Sequence, residues 1–168
     1  MFKSNFFNYR FIKIGSQSPT QHLYDLGKSN STALSKGGVC VGAFLFKDGV
    51  MVDQKQDGTD SDQIIWSISR CSDKENYWRM KARQITKGKA LKGEDVLISK
   101  NYEYDIVKKI ANHLANIVNL SFHNKHNKFW ENIKNSFNID SWVENQFQSK
   151  NVIIQVDPLM GRSSNPLG

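Results

Sequence analysis

The chain has 168 residues, 39% of them hydrophobic and 23% charged, with a formal net charge of +7. This length suits one domain with its own core, and the two cysteines, Cys40 and Cys71, form neither a CxxC pair nor a zinc ladder; that excludes a disulfide scaffold and points to reduced thiols. No window approaches the length of a transmembrane helix, and the opening MFKSNFFNYRFIKIG lacks the uninterrupted apolar run of a secretory signal, so a soluble, cytoplasmic protein with no membrane partner is expected.

From the N-terminus, residues 1–14 predict an edge strand. Phe7, Tyr9 and Phe11 alternate with Asn8 and Arg10, and the phase slip at Ile12 and Ile14 is met either by a bulge or by a short strand. Residues 15–36 are rich in Ser, Gly, Thr and Asn and predict a loop, with one short helical turn around Thr20 to Leu26. The apolar runs at 37–46 and 50–54 flank Lys47-Asp48-Gly49, a hairpin signal because Gly supplies the positive φ such turns need. With residues 63–69 as a third strand, a three-stranded antiparallel meander is predicted. A helix is expected directly after it, since Ser72-Asp73-Lys74-Glu75 fits the capping-box pattern. Its apolar face is expected to hold Trp78, Ala82 and Ile85, and Gly93 is its expected stop.

Beyond it, Ile106, Ile110, Leu114 and Ile117 recur at helical spacing and predict a helix over 104–120. A third helix is expected from about Lys128 to Phe137 and a fourth from Ile139 to Phe147. Val152, Ile153, Ile154 and Val156 suggest a last strand, stopped by Asp157-Pro158. The organisation is thus one α+β domain over 1–156, a small antiparallel sheet packed by helices, with a loose tail over 157–168.

The charge is concentrated. Residues 70–100 hold nine cations and four anions, whereas the segments on either side each carry a net +1. The candidate binding residues are Lys74, Tyr77, Arg79, Lys81, Arg83, Lys87, Lys89 and Lys92. Several Lys and Arg heads on one surface would release counterions from phosphates, and Tyr77 or Trp78 would be placed to stack on a base. The alternatives are a solvated face on an amphipathic helix and a Trp78 that anchors the core.

Within this segment, Cys71-Ser72-x-Lys74-Glu75-x-Tyr77-x-Arg79, then Ala82-Arg83-x-Ile85, then Gly88-Lys89-x-Leu91 resembles a pattern in small phage and mobile-element proteins of unassigned function. There a strand ends in Cys-Ser-x-Lys-Asp-x-Phe and a helix continues as Arg-Lys-x-Gly-Arg-x-Ile-Ala-x-Gly-Arg. This chain departs from it at Glu75, Tyr77, Ala82, Thr86 and Lys89, and the match covers residues 71–91. The resemblance implies a strand-then-helix module of mobile-element origin. It transfers no catalytic residue.

Other motifs carry less. His123 and His126 lie three apart, but a zinc site needs three or four ligands, and His22 and His113 have no motif spacing. Asp53, Asp57, Asp60 and Asp62 lack the spacing of a calcium loop, and a nuclease-type magnesium site would also need a positioned lysine. Cys71, placed at a helix N-terminus beside cations, would have a lowered thiol pKa, and a nucleophile pair with His113 or His22 is conceivable; a structural cysteine is the simpler account. No Walker loop, nucleophile elbow or dinucleotide fingerprint occurs.

The reading is therefore a non-enzymatic phage or mobile-element accessory protein, with no cofactor and no metal. It binds RNA or DNA, or a nucleic-acid-binding host protein, in the host cytoplasm. The alternatives are an anti-CRISPR-like inhibitor of a host defence enzyme, a structural subunit of a ribonucleoprotein such as an organellar ribosome, and a small nuclease.

Overall fold

The longest apolar run of the chain becomes the central strand. In the computed structural model, which describes residues 2–12, 22–25, 36–52, 58–120 and 128–148, the strands are β1 (Asn5–Ile12), β2 (His22–Asp25), β3 (Lys36–Lys47), β4 (Val50–Met51), β5 (Gln63–Asn76) and β6 (Val96–Lys100). The helices are α1 (Arg79–Lys92), between β5 and β6, then α2 (Tyr104–Leu120), α3 (Lys128–Ser136) and α4 (Ile139–Gln148). The sheet order is β2-β1-β3-β5-β6, every pairing is antiparallel, and β4 adds to the end of β3. This is the expected α+β class.

Strand β3 is buried on both faces, which is why its sequence is almost continuously apolar rather than alternating. Val39, Val41, Ala43 and Leu45 point to one side. They meet Phe7 and Tyr9 of β1, Ile64, Trp66 and Ile68 of β5, and Leu97 of β6. Helix α2 covers this face with Val107, Ile110, Ala111, Leu114 and Ala115, and α4 adds Ile139 and Val143. Each large side chain fully withdrawn here contributes about 1.5–3 kcal/mol, and Trp66 also satisfies its indole N–H on Ser99 Oγ at 2.8 Å. On the other side of β3 lie Cys40, Gly42, Phe44 and Phe46, covered by α1. The molecule is thus three layers: α1, sheet, and α2 with α4.

The hairpin turn forms as the sequence marks it. Asp48 and Gly49 both take positive φ, 51° and 81°, the backbone of a type I′ turn whose twist matches the flanking strands. Gly93, at φ 72°, stops α1 as expected, its N–H bonding Ala90 O.

Several expectations are corrected. Strand β1 is internal, between β2 and β3, not an edge. The predicted helical turn near Thr20 to Leu26 is replaced by strand β2. The predicted meander is rearranged: β4 is only two residues long, and β5 pairs directly with β3 from Gln63 to Cys71 and again at Asn76. That pairing also removes the helix predicted from Ser72. Residues 72 and 75 fit a capping box, but β5 runs through both: β3 pairs with it up to Gly38↔Cys71 and again at Lys36↔Asn76, and the register shift between these pairs leaves residues 72–75 as a bulge in the strand. Helix α1 begins seven residues later, with Trp78 at its N-cap and no side-chain cap. Strand β6 was not predicted. The strand expected at 152–156, the tail and the loop with His123 and His126 lie outside the described residues.

Candidate functional site

Helix α1 contains Arg79, Lys81, Arg83, Lys87, Lys89 and Lys92 and no Asp or Glu. It is held to the sheet by small residues. Ala82, Thr86 and Ala90 follow at four-residue spacing and form its buried face. Thr86 Oγ1 donates to Ala82 O at 2.7 Å and lies 2.8 Å from Ser69 Oγ. Beneath it, a Cβ on Gly42 would come within 2.7 Å of Thr86 Cγ2 and 2.4 Å of the Phe44 ring. Only a glycine lets the helix approach this closely. Since so little of α1 faces inward, its long side chains are left outside.

Those side chains divide into two flanks. On the β1 side, Arg83 lies over the Phe6 ring, 5.5 Å from its centroid, and Lys87 follows one turn on. On the β5 side, Trp78, Lys81, Ile85 and Lys92 fall in line, and Lys89 Nζ donates to Ile68 O at 3.0 Å. Arg79, Lys81, Arg83, Lys87 and Lys92 are exposed, and Trp78 and Met80 are 65% and 74% accessible. The first turn carries cations where a helix favours anions, so the unpaired N–H groups of the helix start and the side-chain charges add to one positive end.

Of the eight predicted binding residues, five (Arg79, Lys81, Arg83, Lys87 and Lys92) share this outer surface. Lys89 is half-buried and partly engaged with the sheet. Lys74 falls within β5, and its side chain lies outside the described parts. Tyr77 is corrected: it is buried, and its hydroxyl donates to Asn8 Oδ1 at 2.7 Å, so its ring is part of the fold and not a stacking platform. Trp78, weighed as a core anchor, is exposed instead; among the described residues Trp66 is the fully buried tryptophan, and Trp142 packs against the same core.

Next to Trp78 a cavity of about 280 Å³ opens between the outer stretch of β5 and the first two turns of α1. Ser69, Tyr77 and Ala82 are buried at its base. Arg70, Glu75, Asn76, Lys81, Ile85 and the Trp78 indole stand around it. Strand β6 pairs with β5 only from Gln63 to Ser67, so among the described residues no strand covers this side of β5 from Ile68 onward. Sequence reasoning missed the cavity because it depends on where β5 ends and α1 starts. The chain matches no protein-family model, no curated protein and no solved structure.

The other chemical candidates are not assembled. Cys71 lies in β5, not at a helix N-terminus, and its thiol pKa is raised by burial and then by Glu75, the reverse of the expected lowering. Cys40 is buried and pushed up to about 11, chiefly by burial. His113 belongs to the opposite layer, stacked on Trp142 at 4.6 Å, and is not brought to Cys71. Burial holds His113 down to about 4. The side chain of His22 lies outside the described parts, as do Asp53 and Asp57. Asp62 closes a turn by accepting from Thr59 N–H at 2.8 Å, and Asp60 is exposed. Among the described residues no group of three or more His, Cys, Asp or Glu side chains is placed to hold a metal ion, and no helix is long and apolar enough to cross a membrane.

Proposed function

We propose that this is a non-enzymatic accessory protein that binds nucleic acid through the outer surface of α1. The observation that carries the reading is a helix with six cations and no anion, attached to the sheet by Ala82, Thr86 and Ala90, so that Arg79, Lys81, Arg83, Lys87 and Lys92 all face solvent. Such a surface neutralises phosphates and gains from counterion release. The resemblance of residues 71–91 to phage and mobile-element proteins supports a mobile-element origin, with action in the host cytoplasm. Fluorescence anisotropy with labelled oligonucleotides across a salt series tests it. Engagement of five phosphates predicts a log–log salt slope between about −3 and −5. A flat salt response would sink the reading.

A second reading has one specific observation behind it. Met80 and Leu91, 74% and 59% exposed, are interleaved with the cations, a mixture suited to an acidic protein surface with apolar patches. An inhibitor of a host defence enzyme would use it so. A tagged pull-down from the host, with and without nuclease, separates the two: a stoichiometric protein retained after nuclease treatment favours the inhibitor.

A further inference from the structure

The cavity beside Trp78 narrows the class of nucleic acid. We infer that it accepts one unstacked base of a single strand, an inference that rests on the binding role proposed for α1. In a duplex the faces of the bases are covered by their neighbours, and proteins read the edges or the backbone. An indole face is useful only to a base that has left the stack. Trp78 is 65% exposed at the mouth of a cavity of about 280 Å³. An exposed tryptophan contributes little to this fold, whose core is complete without it.

The surroundings divide the work by chemistry. Trp78 and Ile85 supply flat apolar surface for the base. Asn76, exposed at the end of β5, carries both a donor and an acceptor for a base edge. Lys81, one turn after Trp78 on the same flank, meets the phosphate beside the stacked base, and Lys92 continues the track along the helix. Among the described residues Glu75 is the one carboxylate at the cavity. It stands against a phosphate there and suits the base instead, where it accepts from an exocyclic amino group. Among the described residues no strand pairs with this side of β5 from Ile68 to Asn76, which leaves room there for the nucleic-acid strand to pass.

The test compares a single-stranded oligonucleotide of about twelve nucleotides with a duplex of equal length. The proteins are the full chain and its Trp78→Ala and Trp78→Phe variants. Circular dichroism melts first establish that the variants fold. The expected result is single-strand binding roughly tenfold tighter than duplex binding, with the preference lost in Trp78→Ala, kept in large part by Trp78→Phe, and the duplex affinity unchanged in both. Binding should also quench tryptophan emission in the native chain and quench it far less in Trp78→Phe. Equal affinity for the two forms, or a Trp78→Ala variant that keeps the single-strand preference, overturns the base-binding cavity and leaves the charged helix as a backbone contact. Absence of binding to either form at about 50 mM salt overturns the nucleic-acid role itself.

Discussion

Burial sets the chemistry of Tyr77. Its phenol pKa is raised, first by burial and then by Cys40, and its hydroxyl is spent on Asn8 Oδ1 and Val39 O. Tyr77→Phe would leave the buried Asn8 carbonyl without this donor and should cost about 1–2 kcal/mol in urea denaturation. Oligonucleotide affinity should stay within twofold or so, because the ring does not face solvent. His113 offers a pH prediction at the same scale. Its neutral ring is stacked on Trp142 and lies beside the tilted ring of Phe137, and its folded pKa of about 4 lies below the ordinary 6.5. The unfolded chain therefore takes up a proton that the folded one refuses. The stability is present above pH 6.5 and is lost as pH falls toward 4. His113→Phe should remove roughly 2–3 kcal/mol of that acid sensitivity, read as the difference between native and variant unfolding curves at neutral and mildly acid pH. Sequence could not supply this, since His113 has no motif around it and its ring neighbours come from α4 and from the link between α3 and α4.

Between elements, the contact that decides the site is α1 on β3. Gly42→Ala places a Cβ at 2.4 Å from its near neighbour Phe44 and 2.7 Å from Thr86, so ring and helix must both give. A loss of about 1–3 kcal/mol in thermal or urea unfolding is expected. A Gly42→Ala protein as stable as the native chain would mean that α1 does not sit so close. This contact also shows which elements the sequence could disclose. Helix α2 is legible because Val107, Ile110, Ala111 and Leu114 bury one broad apolar stripe. The turn at Asp48-Gly49 is legible because its backbone needs those residue types. The seat of α1 is not, since Ala82, Thr86 and Ala90 are small and one is polar, and their value lies in the Gly42 beneath them. Nor is its start. The Ser72-x-x-Glu75 pattern describes a local preference, and pairing of β5 with β3 on either side of it, at Cys71 and at Asn76, overrides it. Strand β6 escaped for a related reason: its five residues turn Ser99 inward, where it accepts from Trp66.

The whole molecule separates its roles by layer. The larger core lies on the face of α2 and α4, where Trp66, Leu45, Ile110 and Leu114 are fully buried. The opposite layer is one helix on small residues, and it carries the densest charge of the chain. Apart from Lys89, bonded to Ile68 O, and Arg83, set over the Phe6 ring, its cations are not required by packing, and the charge was legible from sequence as a segment, although which heads face outward was not. Location and net charge can be separated by experiment. A Lys81→Glu/Lys87→Glu double variant and a Lys47→Glu/Lys100→Glu double variant each lower the formal charge from +7 to +3. All four lysines are exposed, the first pair on α1 and the second on β3 and β6. If α1 is the contact surface, the first variant should weaken oligonucleotide binding by about tenfold or more and make the salt slope shallower by roughly 1.5–2. The second should change affinity by no more than about threefold, through the long-range field alone, and keep the native slope. Equal losses from the two would show that net charge and not the helix draws the polyanion, and would remove α1 as the site.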